Sequence, residues 1–159
     1  MGRQTLCVCL VAIAVAAAAG CGGSGGGSSL TRAQYKAKLA AIGKEANRAQ
    51  GLVEAGLKDN TTASLADALT TFSSAEQNMS KEVADLDPPK AAQAANVELA
   101  QGLHDIAAAT DSILPQVKSA ASVTAAVTLL NKSTDGAKAG HEVDDALSKL
   151  RKLGYTAGS

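Results

Sequence analysis

The side chains best equipped for chemistry in this sequence are its 3 cysteines and 2 histidines, and their spacing decides what each is able to do. Cys7-x-Cys9 has a spacing that a metal could bridge, but both residues stand in an uncharged apolar run, Leu6 to Ala19, that reads as a segment to be removed. Cys21 is different. It follows Ala18-Ala19-Gly20, small residues that leave the backbone open to a peptidase and the thiol open to alkylation. His104, paired with Met79 or with His141, is a candidate for binding haem iron, because helical bundles house such sites. However, His104 lies between Leu103 and Asp105, on the flank of a helix rather than on its apolar stripe, and no Cys-x-x-Cys-His is present for covalent attachment. A two-metal site would need Glu-x-x-His on each of two helices, and the sequence lacks it. His141 with Glu142, Asp144 and Asp145 therefore reads as a solvated face. Nucleophilic catalysis needs an oriented base and an oxyanion site, and no Gly-x-Ser-x-Gly occurs. Neither catalytic residues, nor a metal, nor a cofactor is expected, and Met79 reads as core.

Composition narrows the partners. Lys plus Arg and Asp plus Glu both number 15, so no basic excess exists to neutralise phosphates. The aromatic residues are Tyr35, Phe72 and Tyr155, too few to stack on bases or flat ligands. Nucleic acid is excluded as an expected partner. At 159 residues, the chain is long enough for one core and too short for two once an export segment is removed.

The first thirty residues carry an address. Arg3 precedes the apolar run, which is too short to be a comfortable permanent span, and the run ends in small residues, the organisation of a signal peptide over residues 1–20. Ala18-Ala19-Gly20-Cys21 resembles the lipobox of bacterial prolipoproteins, with Ala18 where leucine is usual. That resemblance implies that Cys21 is lipidated, carrying acyl chains such as palmitate, and becomes the mature N-terminus. An ordinary cut after Ala19, with Ala17-Ala18-Ala19 as the small-residue motif, is the alternative. Residues 21–29 then form a tether, since Gly22 to Ser29 is Gly and Ser only. Such a segment predicts a flexible coil with a mean reach of about 15 Å. The mature domain, residues 30–159, has no disulfide and must be held by a continuous apolar core.

That domain is rich in alanine and poor in β-branched residues, which predicts an all-α fold. Thr31 and Gln34 form a capping box and Leu30 with Tyr35 a hydrophobic staple, so helix one starts at Thr31. Its stripe is Tyr35, Leu39, Ile42, Ala46, Ala49, Val53, and Asp59-Asn60 ends it. Helix two starts at Thr61 or Thr62 with the stripe Leu65, Leu69, Phe72, Ala75, Met79, Val83, Leu86, and Asp87-Pro88-Pro89 stops it. The prolines preset the first turn of helix three, whose stripe runs from Ala92 to Ile113 and which Pro115 ends or kinks after Leu114. Helix four is expected from Ser122 to Leu153, with Gly154 as a left-handed cap, Tyr155 folding back, and Lys149, Arg151 and Lys152 placed favourably for the dipole. Its middle, Asn131 to Gly140, contains Asp135-Gly136 and a second glycine. The glycines make this the place where a bend or break would fall, while the small residues are read first as a site of close approach by a neighbouring helix. The architecture expected is an up-down-up-down four-helix bundle, and the alternative is a three-helix body with helix four broken and half docked.

With these elements placed, the chain resembles small helical lipoproteins of high-GC Gram-positive bacteria, of actinobacterial type. The matching features are Tyr35 to Asn47 (YKAKLAAIGKEAN), the Leu86-Asp87-Pro88-Pro89 junction and Leu150 to Ser159 (LRKLGYTAGS). Members of that group often carry a cysteine near the position of Gly43 and another near Ala157 or Gly158, stapling the first helix to the C-terminus. Both are absent here, and the resemblance implies that Gly43 still faces the C-terminal tail. It lends no catalytic residues. The expected protein is a lipid-anchored, extracytoplasmic, non-enzymatic module of the cell membrane, with the membrane and an envelope protein as candidate partners. The alternative is a carrier of a small ligand, haem or metal between helices.

Overall fold

Thr31 starts the first helix in the way its neighbours require. In the computed structural model, which describes residues 29–155, the Thr31 hydroxyl accepts the Gln34 amide at 3.3 Å, and the Gln34 side chain accepts the Thr31 amide at 2.9 Å. This satisfies donors that a helix start leaves orphaned. Helix α1 spans Arg32–Lys58. Leu30, half-buried, packs on the cluster that contains Tyr35, and its amide donates to the Asp87 carbonyl at 2.7 Å. At the other end Asn60 takes a left-handed φ of 54°, a conformation asparagine tolerates better than most residues. The chain reverses there, and Thr61, not Thr62, caps α2 (Thr62–Ala84) by accepting the Ser64 amide at 3.1 Å.

Helix α2 ends at Ala84, short of the expected stop at Asp87-Pro88-Pro89 and leaving Leu86 beyond the helix, and the prolines do not form the first turn of the next α-helix. Pro89 precedes a 3-10 turn, Lys90–Ala92, whose Ala92 amide donates back to the Pro89 carbonyl at 2.7 Å. Helix α3 then runs Gln93–Lys118. Of the two outcomes expected at Pro115, an end or a kink, the end after Leu114 is corrected: Pro115 lies inside α3, which continues for another turn. Pro115 and Asp111 are both exposed, so the Asp111 carbonyl that loses its helical donor can turn to water.

The expected fourth helix is two helices. Helix α4 (Val123–Asn131) is capped by Ser122, which accepts the Ala125 amide at 3.2 Å, and α5 (Thr134–Lys152) by Ser133, which accepts the Gly136 amide at 3.2 Å. The break falls at Lys132 and Ser133, just before Asp135-Gly136. A hydroxyl competing for backbone amides stabilises a new start there, and glycines at 136 and 140 weaken the case for continuity. The close-approach reading of this stretch is also corrected: a Cβ on Gly140 would meet nothing within 4 Å, and one on Gly136 would meet only the Ser133 cap. Close approach occurs elsewhere. A Cβ on Gly102 would come 2.8 Å from Val143 Cγ2, and one on Gly56 would come 2.7 Å from the Ala68 Cβ.

Successive long helices pack antiparallel, α1 on α2, α2 on α3 and α3 on α5, with α4 covering the end of α3. The α1 start, α2 end and α5 end gather at one pole, where the Arg32 guanidinium donates to the Leu153 carbonyl at 2.8 Å. Gly154, at φ +74°, and Tyr155 close α5 with backbone bonds to Arg151 (2.8 Å) and Leu150 (2.9 Å), a Schellman arrangement. The all-α expectation holds, with the fourth position of the bundle filled by two pieces. Two apolar clusters fill the interior. One, toward this pole, joins Tyr35, Leu39 and Ile42 to Met79, Leu99, Leu103 and the inner face of α5. The other joins Leu65 and Leu69 to Leu114, Val117 and Ala126. Among the described residues no helix is long and apolar enough to cross a membrane.

Candidate functional site

The polar interior lies along the seam between α2 and α3. Ser80 Oγ donates to the Ala100 carbonyl at 2.8 Å. Two helical turns earlier in α2, Ser73 Oγ lies 2.6 Å from Asp111 Oδ1 and 3.3 Å from the Ala107 carbonyl. Gln77 donates to the other Asp111 oxygen at 3.1 Å. Near the pole, buried Asn96 donates to the Val83 carbonyl at 2.8 Å and accepts the Tyr35 hydroxyl at 2.9 Å. Tyr35 is fully enclosed and its phenol is pushed up to about 12, first by burial and then by Tyr155. The two rings meet edge to face at 5.4 Å, and the Arg32 guanidinium stands 5.3 Å from the Tyr155 centroid. These contacts clasp α1 to the end of α5.

Between Ser73 and Ser80 sits Glu76. Its side chain is 4% exposed, and its Oε2 has no hydrogen-bond partner. Burial pushes its carboxyl up to about 7, because the charged form gives up hydration and receives no compensating donor. Counting 100° per residue, Glu76 lies midway between Ser73 and Ser80, which face α3, and Ala68, which faces α1. It is therefore directed at the bundle axis. A shallow groove of about 260 Å³ lies where the α4–α5 elbow meets α3, lined by Ser112, Ile113, Gln116, Leu129 and Lys132 to Asp135.

Comparison with protein-family models, curated proteins and solved structures finds no match. The residues themselves must carry the functional reading.

Of the residues singled out from sequence, Cys21, the Gly/Ser stretch before Ser29, and Cys7 and Cys9 lie outside the described residues, as do Ala157 and Gly158; Gly43 is buried on α1. The structure does not bring the haem candidates together: Met79 is fully buried, whereas His104 and His141 are exposed. Asp144 and Asp145 are exposed, and Glu142 pairs with Lys138 at 3.4 Å on the surface of α5. Among the described residues no three His, Cys, Asp or Glu side chains are grouped to hold a metal.

Glu76, Ser73 and Asn96 escaped the reading of the sequence, although a signal for Glu76 was present. Steps of four and three from Leu65 give Leu69, Phe72, Glu76, Met79 and Val83, which places the carboxylate squarely in the seam. Ala75, the apolar residue on the expected stripe, is only half-buried.

Proposed function

We propose that this chain is a membrane-anchored lipoprotein of the cell envelope, tethered through lipid on Cys21, and that its helical domain is a non-enzymatic module contacting another envelope component. The observation that carries this reading is the order of segments: Arg3, an uncharged run, Ala18-Ala19-Gly20-Cys21, a Gly/Ser stretch, then a capped helical domain beginning at Thr31. A thiol in that context is a substrate for diacylglyceryl transfer, and the Gly/Ser stretch gives the domain room to clear the headgroups.

The pole where α1 begins also holds the α2 and α5 ends, so the tether enters beside Arg32, Arg151 and Lys152, all exposed. That pole is the membrane-proximal one in this reading. The elbow between α4 and α5 and the α1–α2 turn are distal, where an envelope partner has access. The likeness to helical lipoproteins of high-GC Gram-positive bacteria points the same way.

Metabolic labelling with palmitate in a Gram-positive host tests the anchor. The wild-type chain is expected to take up label and stay with membranes, and C21A is expected to lose both. Globomycin, which blocks lipoprotein signal peptidase, is expected to accumulate the precursor. A processed, unlabelled protein with its N-terminus at Gly20 would overturn the reading.

A further inference from the structure

The four seams of the bundle are not equally knit. α2 and α3 are laced by the Ser73, Gln77, Ser80 and Asn96 hydrogen bonds. α3 and α5 touch closely at Gly102 and Val143 and are bridged by Lys149 and Glu98 at 2.6 Å. α1 and α2 meet backbone to side chain at Gly56 and Ala68. The α1 and α5 backbones, by contrast, scarcely approach one another, and the two helices meet through side chains: Tyr35, Leu39 and Ile42 share the first apolar cluster with Val143, Ala146, Leu147 and Leu150, and at the pole Arg32 holds the Leu153 carbonyl and Tyr35 meets Tyr155. Beyond the pole no hydrogen bond or ion pair among the described residues crosses this seam, and parting it would bring water to the bundle axis, where Glu76 lies.

We infer that Glu76 is a proton-operated latch: when its carboxyl ionises, the bundle opens along the α1/α5 seam to hydrate it. A buried carboxylate with an unpartnered oxygen is held only while it is neutral, since no donor or cation offsets its lost hydration. The buried faces of α1, α3 and α5 present no cation to it. The half-buried titratable groups on those helices are Glu45, Asp105 and Glu142, all acidic; Asp105 accepts from Gln101 at 2.9 Å and Glu142 from Lys138 at 3.4 Å. On α2 itself Lys81 and Glu82 are exposed, and on α3 His104 is exposed while Asp111 is occupied by Ser73 and Gln77. Burial alone therefore sets the preference of Glu76 for the neutral form. With the carboxyl pushed up to about 7, the latch operates in the neutral range.

Hydrogen exchange of the full chain between pH 5 and pH 8.5, corrected for the intrinsic pH dependence of exchange, tests this. Amides of α1 and α5 are expected to lose protection on the order of a hundredfold as pH rises, ahead of α2 and α3. E76Q, of nearly the same shape, and E76L, apolar at a seam position, are each expected to abolish the difference; either variant suffices should the other fold poorly. A pH response unchanged in both variants would overturn the proposal. So would a wild-type response spread evenly over all four long helices, which would mark global destabilisation without a seam.

Discussion

Tyr35 does two jobs with one side chain. Its ring fills the polar end of the first cluster against Tyr155, and its hydroxyl satisfies Asn96, whose amide in turn satisfies one of the last carbonyls of α2. Tyr35→Phe keeps the ring but leaves Asn96 Oδ1 buried without its donor. A loss of about 1–3 kcal/mol is expected in urea unfolding, and a neutral result would show that the hydroxyl contributes packing only. The sequence announced the ring, through the staple with Leu30, and not the hydroxyl's partner, because Tyr35 and Asn96 stand 61 positions apart. Glu76 teaches the converse. Its seam position was legible from the four-three spacing, but its isolation depends on which side chains α1, α3 and α5 turn toward it, and no local pattern states that.

At the scale of elements, starts and stops were the most legible features. Thr31, the prolines at 88 and 89, and Gly154 act within one turn of themselves, so their neighbours in sequence are their partners in space. The break at Ser133 was harder to read because two local arguments compete there: small residues that could admit a neighbouring helix favour one helix, and a capping hydroxyl favours two. Ser133→Ala removes the acceptor for the Gly136 amide and is expected to cost about 1 kcal/mol by denaturant unfolding. If the elbow were only a frayed stretch of one helix, alanine would be neutral or stabilising, and that outcome would sink the two-helix account.

For the whole molecule, stability is expected to fall with pH in two windows. Glu76 has its carboxyl raised from 4.5 to about 7, so the folded state binds a proton that the unfolded state has lost. Its stabilising contribution is complete below about pH 4.5 and is lost as pH rises through 7, on the order of 3 kcal/mol. Tyr35, raised from 10.0 to about 12, acts in the same direction, its contribution complete below about pH 10 and lost as pH rises through 12. Melting temperatures across both windows check this: Glu76→Gln is expected to flatten the first step, on the order of 10 °C, and to leave the second in place. An increase in stability from pH 5 to 8 would contradict the sign. From residue types and spacing alone came the all-α class, the helix boundaries to within a turn at most ends, and the expectation of an exported, tethered chain. These rest on signals that act over a few residues, as caps, periods and cleavage sites do. Folding alone decided that the fourth helix is two, that Gly102 rather than Gly140 admits a neighbour, and that one carboxyl faces the axis unpartnered. Each of these is set by which distant faces meet, and the free energy of that meeting is a property of the packed interior.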